Sequence, residues 1–305
     1  MDLVMMINIL AIDIGGTHIK HGLVDEIGTI STMNTSTTPT DFKGFIEHLT
    51  TLKEQFQDIP LTSIAISSPG LPQPDGTIGA ESAVPYLHQH NIKQAVEKIF
   101  HLPVVIENDA NCAALAEVWT GKAKSIDNAA VLIIGTGIGG ALIQNRTLHR
   151  GADQHAGDFG YMLLPNRENG GYSVFSRLAS TGSIIRRVAD KKAMSKNDWT
   201  GEKVFNSAEE GDIICQEAIH QFYTMLGLGI FNIQYVYNPD VILIGGGIST
   251  RPTLLDELNQ HLHQLQQEVE ETLIIPKVDI CDHKSHANLI GAAYCYFQSI
   301  KASNN

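Results

Sequence analysis

The sequence predicts an α/β protein of two domains, each a mixed sheet flanked by helices. Three observations predict it. A chain of 305 residues is about twice the usual domain length, and 43% apolar residues can build a core in each half. Short apolar runs rich in branched residues alternate with segments of helical spacing. A unit of strand, glycine and threonine turn, and returning strand occurs twice, over 7–24 and again over 130–143. Such a repeat suggests an internal duplication in which each half presents a glycine turn to a shared cleft.

Residues 7–14 read as a buried strand, Gly15, Gly16 and Thr17 as a tight turn, and 19–24 as the returning strand, so the chain opens with a hairpin. Phe42, Phe45, Ile46, Leu49 and Leu52 fall at helical spacing within 41–56, and 64–66 is a short apolar strand that runs out at Ser68-Pro69-Gly70. A helical stretch over 92–100 precedes the strand 104–106. Asn108 and Asp109 then open a helix of small residues through Trp119, with Asn or Asp at the cap position. The strand 130–134 leads into Gly135-Thr136-Gly137-Ile138-Gly139-Gly140 and the strand 141–143. A third glycine cluster, Gly245-Gly246-Gly247, follows the strand 241–244 and leads towards a helix over 254–271. Residues 287–297 carry the spacing of a final helix that packs back on the first domain. No low-complexity linker intervenes, so the boundary is placed by motif at 107–109. The first lobe is then 1–108, completed by the C-terminal helix 287–305, and the second is 109–286.

Composition removes several classes of function. Twenty-one Lys and Arg against 33 acidic residues give a net charge of −12, which repels phosphate backbones and excludes nucleic acid as the expected partner. A nucleotide remains possible, because backbone N–H groups, helix N-termini and a metal can meet its few charges locally. Cys112, Cys215, Cys281 and Cys295 are far apart, without a Cys-x-x-Cys pair or a metal-ligand spacing, and read as reduced thiols. The N-terminus lacks a basic region and a cleavage site, and no apolar stretch approaches membrane-spanning length. A cytoplasmic protein with no membrane partner is expected.

The chemistry-bearing residues sit at the turns. In Asp13-Ile14-Gly15-Gly16-Thr17 the glycines let a backbone approach an anion, and a carboxylate at the strand end can hold a hydrated Mg²⁺; a plain hairpin turn would read the same way. The run 135–140 fits Gly-x-Gly-x-x-Gly, with Asp158 near the distance of a Rossmann ribose acid. That fold needs a helix directly after the glycines, however, and Ala141, Leu142 and Ile143 read as a strand. Asp109 lies at a strand-to-helix junction, where the helix N-terminus favours its ionised form and where a simple N-cap would look alike. Taken together, glycine turns around a junction carboxylate are what phosphoryl transfer to an alcohol requires: clamps, a metal and a base.

These blocks, Leu10 through Thr17, Glu107-Asn108-Asp109-Ala110-Asn111, Ile134 through Gly140, Ala156-Gly157-Asp158-Phe159-Gly160-Tyr161 and Leu243 through Ile248, make the chain resemble the ROK family of sugar kinases. That family belongs to the actin-like, ribonuclease H-like ATPase superfamily, and the resemblance covers nearly the whole chain. It implies an ATP-dependent hexose kinase acting on the 6-hydroxyl of glucose or N-acetylmannosamine, with a β-glucoside kinase as the alternative and a non-catalytic sugar-binding regulator as the alternative of another class. By resemblance Asp109 is the catalytic base, and Asn108, Asp109, Asp158, Tyr161 and the backbone of Gly70 hold the sugar. Gly15, Gly16, Thr17, Gly135, Thr136, Gly137 and Gly139 bind phosphates, Gly246 and Gly247 the adenosine side, and Asp13 a Mg²⁺ through water. The family's habit also implies a homodimer. Family repressors carry a DNA-binding module ahead of the sugar domain, and with the first glycine turn beginning at residue 15 no such module is expected here.

Two departures stand out. Where typical members have Glu and His, this chain has Asp158 and Tyr161, and residues 163–178 contain no cysteine, so the family's structural zinc is expected to be missing. His149, His155, His283 and His286 are expected to be surface or capping residues, and the site is expected to be remodelled around the sugar's first and second carbons.

Overall fold

The structure, a computed structural model, describes residues 7–79, 82–166, 170–269, 271 and 274–303. Residues 1–6, read above for a targeting segment, together with residue 270 of the expected helix and 304–305 of the last one, lie outside the described residues.

A run of branched apolar residues forms β1 (Ile9–Ile14), every residue of which is buried. It pairs antiparallel with β2 (His18–Val24), and β2 with β3 (Ile30–Thr37), a largely exposed edge strand of Ser, Thr and Asn. Then come α1 (Phe42–Gln55), capped by the Asp41 carboxylate accepting from the Gly44 N–H at 2.8 Å, and β4 (Ser63–Ser68). The two-residue strands β5 (Leu71–Pro72) and β6 (Ile78–Gly79), α2 (Ile92–Phe100), β7 (Val104–Asn108) and α3 (Asp109–Trp119) follow. These strands order as β3-β2-β1-β4-β7, with β1, β4 and β7 parallel.

A second sheet repeats the plan. Its strands are β8 (Ala129–Ile134), β9 (Ile138–Gln144) and β10 (Thr147–His149), followed by a separate ribbon, β11 (Leu163–Pro165) with β12 (Tyr172–Val174). A single-turn α4 (Phe175–Leu178) leads to α5 (Thr181–Lys192), α6 (Gly201–Glu209) and α7 (Ile213–Tyr237). The long α7 is apolar on most sides because Phe222, Tyr223, Leu226 and Ile230 are buried in the core between sheet and helices. Next are β13 (Val241–Gly245), α8 (Leu254–Glu268) and β14 (Val278–Ile280), giving the order β10-β9-β8-β13-β14 with the same parallel and antiparallel pattern as the first sheet. The chain returns in α9 (Ala287–Ser303).

Packing divides the chain into one unit of 1–124 with 285–305 and another of 125–284. The division therefore falls after Lys124 and not, as expected, after Asn108. The reason is the seam between α3 and α9. Cys112 of α3 shares an apolar cluster with Ile9 and Ala11 of β1, Ala65 of β4, and Leu289, Ala292 and Ala293 of α9. Trp119 closes the seam by stacking on Tyr294 at 5.2 Å. Small residues along both helices let their backbones approach closely, and burial of this face ties α3 to the first sheet.

Candidate active site

In the first unit the polar residues gather where β1, β4 and β7 end. Asp13, only 8% exposed, has its Oδ1 hydrogen-bonded by Ser67 Oγ at 2.8 Å and by Asn288 Nδ2 of α9 at 2.9 Å, which leaves Oδ2 for another ligand. The turn that follows is held by the Gly15 N–H donating to the His18 carbonyl (3.0 Å) and by Thr38 Oγ1 donating to the Gly15 carbonyl (2.6 Å). Gly16 and Thr17 are exposed at its tip.

Asn108 is the N-cap of α3: its Oδ1 accepts from the Ala110 N–H (2.9 Å) and the Asn111 N–H (3.1 Å). Its Nδ2 donates to the carbonyl of Gly70 at 2.9 Å, so cap and loop are locked together. Glu107 Oε1 accepts from the Asn108 N–H and from Asn111 Nδ2 at 2.8 and 2.9 Å and fixes the junction from behind. Asp109 is thus free of the cap role and is the first residue of the helix proper, where its Oδ1 accepts from the Ala110 N–H at 2.8 Å. Burial pushes its pKa up to about 6; the Ala110 N–H opposes that shift, and the nearby Asp13 charge adds to it. A carboxylate poised there is mostly ionised at neutral pH yet basic enough to take a proton.

The second unit carries the other glycine turns. The Gly135 N–H donates to the Gly137 carbonyl at 2.9 Å, and the Ile138 N–H donates to Ser176 Oγ at 3.0 Å. Gly135 and Thr136 line a cavity of about 840 Å³ together with Gly247, Thr181 and Gly182 at the head of α5, and Arg251. Gly246 has φ +85°, and a Cβ there would run into the Ile134 carbonyl, so only glycine fits this loop. The Arg251 guanidinium lies over the Phe205 ring at 4.1 Å and pairs with Glu257 at 2.8 Å, which stiffens the far wall. Gly139 is not in the turn; it sits inside β9 opposite Ile133. Asp158 precedes the short turn Phe159–Tyr161, and its Oδ2 meets His155 Nδ1 at 2.6 Å. Tyr161 is 72% exposed.

The sequence matches the ROK family over residues 9–298. The chain belongs to the ROK family. It is 35% identical to a β-glucoside kinase of Listeria monocytogenes, over 95% of this chain and 97% of that one, and 35% identical to a β-glucoside kinase of Klebsiella pneumoniae, over 97% and 98%. Among solved structures it is similar to a ROK family protein from Streptococcus pneumoniae TIGR4 in complex with sucrose, with a TM-score of 0.88, 36% identity, and coverage of 97% of this chain and 100% of that one. The mixed α/β architecture expected of the actin-like fold is present in both units of this ROK chain.

Within the first unit the structure of this ROK protein brings together Asp13, the turn Gly15 to Thr17, Gly70, Asn108 and Asp109; within the second it brings Gly135 and Thr136 to one cavity with Gly247. Sequence reading missed Ser67 and Asn288, which hold Asp13, and the head of α5. The Ser180-Thr181-Gly182 start of that helix, with Ser180 Oγ accepting from the Ser183 N–H at 3.1 Å, is a capping signal that could have shown it. His155 is half exposed, as expected of a surface residue, but it is paired with Asp158. Among the described residues no cluster of three or more His, Cys, Asp or Glu side chains could share a metal ion, and no helix is long and apolar enough to cross a membrane. None of the four cysteines is in a disulfide; Cys112, Cys215 and Cys281 are buried and Cys295 is half-buried.

Proposed function

We propose that this ROK protein is an ATP-dependent sugar kinase that phosphorylates the 6-hydroxyl of a hexose, with Asp109 as the base. The observation that carries the reading is the Asp109 carboxyl itself. It is held at the head of α3, relieved of capping by Asn108, and raised to a pKa of about 6. Asn108 Oδ1 caps the Ala110 and Asn111 N–H groups, and the Asp109 carboxylate shares only the first of them.

In the reaction so assigned, the sugar O6–H gives its proton to the Asp109 carboxylate as O6 attacks the γ-phosphorus. The bond from phosphorus to the bridging oxygen breaks, and ADP leaves with that electron pair. The glycine turns Gly15 to Thr17 and Gly135 to Gly137 are assigned to the phosphates, and the cavity beside Gly246 and Gly247 to the adenosine. Asp13 suits a hydrated Mg²⁺, because its Oδ1 is anchored by two donors and its Oδ2 is a hard oxygen with no hydrogen-bond partner among the described residues. Bound there, the ion would neutralise charge on the phosphates. Asn108, Asp158, Tyr161 and the backbone of Gly70 are assigned to the sugar.

The sugar is proposed to be a β-glucoside. This finer reading is supported by the names of the Listeria and Klebsiella relatives, each 35% identical over nearly the full length. Free glucose and N-acetylmannosamine remain the competing substrates, and a substrate panel decides between them. ADP release is followed with cellobiose, an aryl β-glucoside, glucose, N-acetylmannosamine and N-acetylglucosamine. The expected result is the highest kcat/KM with the β-glucosides; turnover confined to free glucose would refute the β-glucoside assignment, and turnover of none would refute the kinase.

A further inference from the structure

The groups assigned above hold the sugar ring and its O6, and leave a substituent on the anomeric carbon without a partner. The chain leaving Asp158 runs through one short turn, with the Tyr161 N–H donating to the Asp158 carbonyl at 3.1 Å, and continues directly into β11. β11 and β12 pair with Leu163 opposite Val174, Leu164 opposite Ser173 and Pro165 opposite Tyr172. Side chains alternate across a ribbon, so Leu163, Pro165, Tyr172 and Val174 share one face. Leu164, on the other face, is 3% exposed and belongs to the core. The first face is therefore turned outward, and it carries Leu163 at 70% and Tyr172 at 77% exposure beside Tyr161 at 72%.

Two tyrosines and a leucine left in water next to one another are unusual for a surface without a ligand. They line one cavity of about 650 Å³, with Ser173, Ser176 and Arg177 supplying polar groups. Flat aromatic faces edged by hydroxyls and a guanidinium suit the CH-rich face of a sugar ring or an aryl group.

We propose that this outer face of the β11–β12 ribbon, Leu163 and Tyr172 beside Tyr161, seats the aglycone of a β-glucoside. The inference rests on the kinase reading, and on Asp158 as a partner of the sugar, and adds the residues that set preference for a ring-bearing substituent at the anomeric position.

The test compares the native chain with Tyr172→Ala, Leu163→Ala and Tyr172→Phe, assayed by ADP release with cellobiose, 4-nitrophenyl β-glucoside and glucose. Tyr172→Ala and Leu163→Ala are expected to lower kcat/KM for both glucosides by about tenfold, mainly through KM, while glucose changes by less than about twofold. Tyr172→Phe keeps the ring and is expected to keep the glucoside activity. Equal losses on glucose and glucosides, or none on either, would overturn the seat while leaving the kinase standing. So would a Tyr172→Ala variant that sediments as a smaller species with an unchanged ratio of glucoside to glucose activity, which would give the face to a second copy of the chain. A native protein that phosphorylates none of the three would overturn the kinase reading and the seat with it.

Discussion

In the first sheet Asp13 stands two residues before its glycine turn, opposite Ser67 on β4; at the same place in the second sheet Ile133 stands opposite Gly245 on β13. One residue earlier, Ile12 faces His21 in the first sheet, and Leu132 faces Gly140 in the second. The strand order and directions are the same, so the backbone plan is shared and the side chains facing the turns are not. The first sheet spends these positions on a buried carboxylate with two donors. The second fills them with an isoleucine and with glycines, the space beside Gly140 being taken by Phe159. The difference teaches that one backbone plan can carry either a hydrogen-bonded buried charge, as at Asp13, or glycines packed against neighbouring chain, as at Gly140 and Gly245.

The largest expected effect lies in the first unit. Asp109→Asn should lower kcat by about 10²-fold or more with the thermal midpoint and sugar affinity nearly unchanged, because it removes a proton acceptor and keeps the shape. Steady-state kinetics with sugar binding measured by calorimetry would check it. Near-native turnover would take the base away from this sheet.

A smaller effect belongs to the second unit. Gly246→Ala would place a side chain at φ +85° against the Ile134 carbonyl, costing roughly 1–3 kcal/mol of strain. The expected readout is a KM for ATP raised by several-fold or more, with the KM for sugar unchanged. An effect on the sugar alone would contradict the assignment of that loop to adenosine.

The smallest effect concerns His21, buried at 4% exposure, with neither ring nitrogen hydrogen-bonded among the described residues and with burial and the neighbouring His48 lowering its pKa. The unfolded chain takes up a proton near pH 6.5 that the folded chain refuses, so stability falls as the pH drops below 6.5. Melting curves at pH 5 and 7.5 should show this loss, reduced in His21→Leu. Gly140 offers no counterpart in the second sheet, so an acid loss unaffected by His21→Leu would break the comparison at this position.

Much of this organisation was legible in the sequence, since strands such as Ile9–Ile14 and Ala129–Ile134 are short apolar runs bounded by glycine, and the motif residues sit at their ends. β3 was not legible, because an edge strand of Ser, Thr and Asn has no buried face to create alternation. Nor was α7, whose apolar residues surround it and so leave no stripe. The placement of α3 was misread, because its partner α9 lies at the other end of the chain and no local signal announces the pairing. Candidate residues at local turns could be named from sequence alone. Those defined by tertiary contact could not: Asn288 reaches Asp13 across 275 positions of sequence.

The account's central claim is that the Asp109 carboxylate accepts the sugar's proton, and the pH dependence of kcat/KM for the sugar at saturating MgATP tests it most directly. The predicted profile is flat above pH 7 and falls about tenfold per unit below an inflection near 6, the value to which burial raises that group. A profile without an inflection between pH 5 and 7 would contradict it.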